Sequence, residues 1–219
     1  HGFSNIQAMD YANVKAERSY GGNFDFKYQS TFGTEKVLLT FNQVFFYNLI
    51  DNPILLNADT TGMLYYSNDG EFLTSNGFES QLKLTVGKFT LFVGYTYTDV
   101  YIQNDDDSKN YLTQTPKHSL KGDILFVDDK KWRIGWDYEY KSEQLLSTGL
   151  STRYLFTTGV VVERTFGGTS FFVNFENITD TRQTRYESLR SGVDGTTQFT
   201  EVWAPLDGFF FNWGMKILL

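Results

Sequence analysis

Apolar and polar residues alternate with a period of two along most of this chain, in short runs broken by turn-forming residues. The sharpest run is Trp132–Lys141. Trp132, Ile134, Trp136, Tyr138 and Tyr140 fall on one face of an extended strand, with Arg133, Gly135, Asp137, Glu139 and Lys141 on the other. The end of the chain repeats the pattern: Phe209, Phe211, Trp213, Met215, Ile217 and Leu219 alternate with a mixed set that includes Asn212, Gly214 and Lys216. Residues 24–29, 39–48, 81–86, 90–101, 121–126 and 170–176 show the same alternation. Residues 159–164, through Val160, Val161 and Val162, alternate less cleanly but favour β structure. These segments predict about nine strands and an all-β, antiparallel fold.

The connections sort into two kinds, in strict alternation. Residues 32–35, 87–88, 128–131 and 167–168 form short turns with Gly or charged residues, while 51–76, 103–114, 143–151 and 180–205 are long and polar. Tight turns at one end and long loops at the other are the hairpin arrangement of outer-membrane β-barrels. The alternation predicts a periplasmic C-terminus, with residues before about Ser19 outside. Backbone groups in hydrocarbon need partners, so a membrane sheet must close on itself, and single-chain bacterial barrels have even strand numbers. An odd count predicts part of a larger barrel.

Composition sharpens this picture. Aromatics make up 18% of the 219 residues, yet mean hydropathy is -0.34, the combination expected when one strand face meets lipid and the other meets water. No stretch approaches the ~18 apolar residues of a membrane-spanning helix. A net charge of -7 argues against nucleic-acid binding, and the absence of cysteine excludes disulfides and zinc-thiolate sites.

Several stretches resemble the C-terminal barrel half of TonB-dependent outer-membrane receptors, particularly those of Bacteroidetes-type bacteria. They are NFENITDTRQTRY (174–186), APLDGFFFNWGMKILL (204–219), FFYNLIDNPIL (45–55), NGFESQLKL (76–84) and QTPKHSL (114–120), in the family's order. Asn212, Gly214, Ile217 and Leu219 also resemble the C-terminal signal read by the barrel-insertion machinery, although the family more often ends in an aromatic residue than in a leucine. The resemblance implies a transmembrane barrel of about 22 strands around a plug, this chain supplying roughly strands 14 to 22. The plug would lie outside this sequence, and such a piece alone would transport nothing. The implied function is energy-coupled uptake of a scarce, bulky nutrient of the ferric siderophore, haem or cobalamin class. The implied partners are the rest of the barrel and plug, the TonB-ExbB-ExbD complex acting through the plug, outer-membrane lipid and lipopolysaccharide, and a possible surface lipoprotein. No cofactor is implied.

Candidate chemistry is sparse. With His1 and His118 the sole histidines, a catalytic triad or His-rich metal site has little to build from, and no enzymatic role is expected. His118, at a strand entrance, reads as structural. Asp105, Asp106 and Asp107 lack the spacing of a calcium loop and read as a solvated run. Glu79, Lys83, Arg133, Asp137, Glu139, Lys141, Glu176 and Lys216 would face a wet lumen, either simply solvated or, as the resemblance implies, hydrogen-bonding a mobile plug. Substrate-binding candidates are the aromatic and cationic loop residues Tyr65, Tyr66, Tyr111, Arg182, Arg185, Tyr186, Arg190 and Trp203, which suit anionic or ring-bearing ligands. Arg182 and Arg185 could instead pair with Asp180 or Glu187 and order their loop.

Two rival readings make distinct structural predictions. A small self-contained barrel, acting as passive pore or adhesin, requires an even strand count and pairing between first and last strands. A soluble carbohydrate-binding β-sandwich requires Trp132, Trp136 and Tyr140 to form a packed core.

Overall fold

The structure is a computed structural model, and it describes residues 14–33, 37–58, 64–68, 72–104, 108–128, 131–191 and 198–217. Four strands of equal length dominate the first half: β1 (Arg18–Phe32), β2 (Val37–Asp51), β5 (Phe72–Val86) and β6 (Phe89–Gln103). Between β2 and β5 lies the hairpin of β3 (Ile54–Ala58) and β4 (Leu64–Asn68). The second half contains β7 (Lys109–Tyr111), β8 (His118–Asp128), β9 (Trp132–Lys141), β10 (Leu155–Phe166) and β11 (Thr169–Glu176). A short 3-10 turn (Gln183–Arg185), the small pair β12 (Arg190–Ser191) and β13 (Gln198–Phe199), and β14 (Phe210–Ile217) complete the chain.

Nine strands form one path, β1-β2-β5-β6-β8-β9-β10-β11-β14, with β7 attached to β6. Each predicted strand appears on it. Chain neighbours pair in sequence, as hairpin connections require. β1 and β14 are the two ends of the path rather than neighbours, so the first-to-last pairing of a small closed barrel is absent among the described residues. Two of the short turns have a positive-φ glycine at their first position, Gly87 (φ 56) and Gly167 (φ 58). That is where a two-residue hairpin with the right twist favours glycine.

Contacts divide the chain into two compact units. The first comprises His1–Phe24, Phe45–Gly77 and Thr98–Leu112. Here Asn52 turns the chain at φ 53, and the Asn68 amide donates to the Asn52 carbonyl (2.8 Å) while its oxygen accepts from Lys15 N (2.6 Å). Phe24 stacks on Phe45 at 6.5 Å.

The second unit comprises Asp25–Val44, Phe78–Tyr97 and Thr113–Leu219. Its register sorts side chains cleanly. Phe89, Leu91, Val93 and Tyr95 of β6 oppose Phe126, Ile124, Gly122 and Leu120 of β8. Those oppose Ile134, Trp136, Tyr138 and Tyr140 of β9, which in turn meet Val162, Val160, Thr158 and Phe156 of β10. Val162 and Val160 oppose Val173 and Phe175 of β11, which meet Trp213 and Phe211 of β14. The apolar alternation is thus one continuous face across six strands. From Trp132 to Tyr140 it runs ~27 Å along the strand, close to the ~25 Å apolar band of a membrane barrel once tilt is allowed for.

That face is bare. Trp136 is 40% exposed and Trp213 73%, so the packed core required by a soluble sandwich is absent among the described residues. The buried apolar cluster consists of Leu155, Trp203 and Ala204, in and beside the long connections. Several polar groups on the bare face find partners within it. The Trp136 indole donates to Thr158 Oγ1 (2.8 Å), which donates to the Asp137 carbonyl (2.6 Å). Ser80 donates to Gln43 Oε1 (2.5 Å). Such internal pairing is what a surface without water demands. Arg164 lies over the Trp132 ring at 4.4 Å, an arrangement suited to a cation at a membrane interface.

Ile124 lies near the middle of this band, opposite Leu91 and Trp136. Ile124→Arg should destabilise the barrel by about 2–4 kcal/mol in lipid, whereas Asp123→Arg on the opposite face should change stability far less. Urea titration of the full-length protein in vesicles, read by heat-modifiable gel migration, checks both.

Candidate functional site

The polar face of the second unit carries the candidate lining residues. Arg133, Asp137, Glu139 and Lys141 alternate with the apolar set on β9, and the register places Glu139 beside Lys121 and Arg133 beside Glu163. Lys141 Nζ reaches Glu139 Oε1 at 3.0 Å. Lys216 Nζ lies 3.4 Å from Glu163 Oε2, while Ser170 donates to Glu163 Oε1 at 2.7 Å. Glu176 accepts from Asn174 Nδ2 (2.6 Å) and Asn212 Nδ2 (3.5 Å). Glu79 accepts from Gln81 Nε2 (2.5 Å), and Lys83 is exposed. Lys141–Glu139 and Lys216–Glu163 are therefore lateral ion pairs on this face, and Glu79 and Glu176 take lateral amide donors.

Glu163, Lys121 and Asp123 belong to the same face and were not among the sequence candidates. Glu163 was hidden by the valine run before it, although counting twos from Val161 reaches it. Gly214 also has a local structural role: a Cβ there would meet the Phe172 ring at 2.5 Å. Phe172 lies across the glycine on the neighbouring strand, the aromatic cover that strand glycines favour. Asn212 and Ile217 lie on β14 with it. Leu219, the last residue of the proposed assembly signal, lies outside the described residues, as does the Asp105, Asp106, Asp107 run.

A cavity of about 700 Å³ opens beside the polar face, with Asp137, Glu176 and Asp207 in its wall beside Phe209 and Phe210. No group of three or more acidic or histidine side chains among the described residues could hold a metal ion.

The long connections are tied together by polar side chains. Gln183 is fully buried. Its amide donates to Glu187 Oε1 and to the Glu201 carbonyl (both 2.6 Å), and its oxygen accepts from Trp203 N (3.0 Å). Glu187 Oε1 also accepts from the Trp203 indole (2.5 Å). Glu201 accepts from Ser147 N (2.9 Å) and Gln114 Nε2 (3.2 Å), joining the other two connections of the unit. Asn177, at φ 47, donates to the Thr181 carbonyl (2.8 Å) and accepts from Thr181 N (2.9 Å). Asp180, at φ 51, accepts from Phe209 N (3.1 Å). The NITDT sequence is thereby a closed turn.

The loop candidates divide accordingly. Arg182 Nε and Arg185 Nη1 both contact the Asp180 carboxylate at 3.4 Å. The alternative of loop ordering therefore describes them, with Asp180 and not Glu187 as partner. Trp203 is 9% exposed. Its indole belongs to the loop interior rather than to an open ligand surface, because its ring packs with Leu155 and its N–H is committed to Glu187. Tyr186 stacks on Trp203 at 6.1 Å but remains exposed. Tyr65 and Tyr66 lie on β4, Tyr111 on β7 edge-on to Tyr101, and Arg190 on β12. In the first unit, Tyr66 and Tyr111 are exposed and Tyr65 is half-buried. His118 accepts or donates at Nδ1 to Tyr95 Oη (2.8 Å) and lies against Tyr97 (5.3 Å).

A lipid-suited apolar face, a charged opposite face and hairpin connectivity together define an antiparallel barrel wall. Residues 2–159 match the family described as TonB dependent receptor-like, beta-barrel, and the chain belongs to that family. Solved structures agree on the fold. The copper transporter OprC aligns with a TM-score of 0.71 and 14% identity, over 94% of this chain and 32% of that one. The siderophore receptor PirA from Acinetobacter baumannii aligns at 0.66 and 14%, over 97% and 33%. The ferric-catecholate import receptor Fiu from E. coli K12 aligns at 0.64 and 16%, over 92% and 28%. The chain spans about a third of the length of these structures. Among the curated proteins compared, none matches it.

Gln183 is the central tie of the loops. Gln183→Ala strands the buried N–H of Trp203 and should cost about 1–3 kcal/mol of local stability. Limited proteolysis of the intact receptor should then cut within residues 177–209 at protease concentrations that leave the parent protein whole.

Proposed function

We propose that this chain forms part of the wall and extracellular loops of an outer-membrane transporter. The transporter takes up a scarce, bulky nutrient of the ferric siderophore, haem or cobalamin class, driven through TonB. The observation that carries the reading is the continuous bare apolar face backed by a charged one, in a chain of the TonB-dependent receptor barrel family. The role is transport rather than catalysis. Iron and copper transporters among the structural neighbours support the general class, and nothing in the loops selects one substrate. Two histidines in the whole chain offer little axial ligation for haem.

In this reading the polar face lines a wet lumen and contacts a plug. Glu79, Lys83, Arg133, Asp137, Glu139, Lys141, Glu176 and Lys216 supply hydrogen bonds that a moving plug can exchange. Laterally paired charges suit that task, because neither partner is left buried and alone when the plug shifts. Among the loop residues, Tyr65, Tyr66, Tyr111, Tyr186 and Arg190 remain the ligand-facing candidates, while Arg182, Arg185 and Trp203 hold the loops that present them. Further partners are TonB-ExbB-ExbD, outer-membrane lipid and lipopolysaccharide, and a surface lipoprotein.

Cells carrying the full-length receptor should accumulate one labelled member of a ferric siderophore, haem and cobalamin panel, and collapse of the proton-motive force should abolish the accumulation. Uptake that persists after collapse identifies a passive pore instead. Orientation has a separate test, to which these 219 residues add no cysteine of their own. Ser147→Cys in a long connection should react with an impermeant maleimide on whole cells, and Lys88→Cys in a tight turn should not. The reverse pattern would place the C-terminus outside.

A further inference from the structure

The cavity of about 700 Å³ beside the polar face lies toward the long-connection end of β10, β11 and β14. Its size is that of a small-ligand site. The NITDT turn builds its rim: Asn177 Nδ2 donates to the Asp207 carbonyl (3.3 Å), and Phe209 N donates to Asp180 Oδ1 (3.1 Å). Gly208 closes against the same turn, where a Cβ would collide with Asp180 Oδ1. Phe210, 54% exposed, stands opposite Glu176 in the pairing of β11 with β14. The rim is therefore set before a ligand arrives.

The charge on this wall is uncompensated. Asp137, Glu176 and Asp207 form no ion pair among the described residues, and the carboxylates of Asp137 and Asp207 accept no hydrogen bond there. Glu176 takes only neutral amides, from Asn174 and Asn212. The register sets Asp123 directly opposite Asp137, and like charges facing each other across two strands are mutually unfavourable. Neighbouring cations are turned elsewhere. Lys141 is held by Glu139 and Lys216 by Glu163, while Arg182 and Arg185 contact Asp180. The Lys121 stem lies over Gly94 of β6, 3.5 Å from where a Cβ would stand. Asp137 extends over β10, its Oδ1 2.8 Å from the position of a Cβ on Gly159, a space that only glycine leaves open. The carboxylates line the cavity without converging. No group of three or more acidic or histidine side chains among the described residues could hold a metal ion, so the wall suits an extended organic cation better than a bare ion.

We propose that this cavity receives a cationic group of the transported nutrient, an ammonium or guanidinium, and so selects a positively charged ligand over an anionic one. The inference rests on the transport reading above and deepens it by naming the charge of the nutrient. Asp137 and Glu176 attract the cation, Phe210 offers it a ring face, and the Thr157 hydroxyl in the same wall can bond the polar atoms around it. The nutrient fits better than a basic side chain of the plug, because the rim is built by a long connection, at the end of the wall where a ligand enters in the proposed orientation. An iron tris-catecholate or the propionates of haem would meet like charge here.

The test measures equilibrium binding of three iron(III) trihydroxamates to the detergent-purified full-length receptor. They share one linear backbone and differ at its end: a free ammonium, its acetylated neutral form and its succinylated anionic form. The ammonium complex should bind about tenfold more tightly than the succinylated one, the margin shrinking as added salt screens the carboxylates. Asp137→Asn and Glu176→Gln, which keep side-chain shape, should each cut the margin by about threefold. Asp25→Asn, which removes a carboxylate of β1 outside the cavity, should leave it unchanged and separates the cavity from the net charge of the chain. Equal or tighter binding of the succinylated complex, or no measurable binding of the ammonium complex, would overturn the proposal. So would a margin that survives both cavity variants, which would assign these carboxylates to basic side chains of the plug. Uptake keeps the two readings apart. Energy-dependent import of haem or an iron tris-catecholate alone defeats this inference and leaves the transport reading intact, whereas uptake that persists after collapse of the proton-motive force defeats the transport reading on which it rests.

Discussion

A peptide group in hydrocarbon has no water to bond to, and everything else in this structure follows from meeting that demand with neighbours. Nine strands satisfy one another edge to edge along a single path. Once the backbone is paired, the side chains need no common core, and the described residues build none between the strands. Its large aromatics stand outward, where a soluble domain of this length would bury them. Polar atoms on that side can meet the same demand locally, as the Trp136–Thr158–Asp137 relay does. The interior packing that does exist is in the loops, around Trp203 and the buried amide of Gln183.

The two faces solve different electrostatic problems. On the charged face, water keeps the cost of ionised groups low, so Glu163 can take Ser170 from the neighbouring β11 and Lys216 from β14 beyond it without a deep burial penalty. On the apolar face, cations are admitted at its margins, Arg164 over Trp132 at the turn end and Arg153 over Tyr186 at the loop end. Each has a long aliphatic stem and a ring to rest on. The wall is therefore bounded above and below by aromatic–cation pairs, with neutral side chains between them.

The strands were legible because a period of two can be read from a single segment. Trp132–Lys141 and the alternation after Phe209 needed no knowledge of the rest of the chain. Where alternation lapses, so did the reading. The β3–β4 hairpin has Ile54, Leu55 and Leu56 in a row, paired with Asn68, Ser67 and Tyr66, and its lack of alternation hides it within a long polar connection. β5 begins at Phe72 rather than near Asn76. The loop interior was the least accessible part. Gln183 is a polar residue in a polar stretch, and its burial depends on Glu187, Glu201 and Trp203 arriving from up to 20 positions away. Trp203 escapes a reading by spacing for the same reason, because Gln183 and Glu187 reach it from 20 and 16 positions away, whereas the pairing of Arg182 and Arg185 with the nearby Asp180 is local and could be read from the sequence.

Placing every lipid-loving side chain at an alternate position also governs how the nascent chain travels. A polypeptide bound for an outer membrane must first cross an inner one, past machinery that diverts uninterrupted greasy stretches of ~20 residues sideways into the bilayer. This sequence offers no such stretch, and its mean hydropathy is -0.34. Unfolded, it passes for a water-soluble protein. Its affinity for lipid comes into being only when the strands extend and sort their two sides, so the same alternation that builds the wall also keeps it from being built in the wrong membrane.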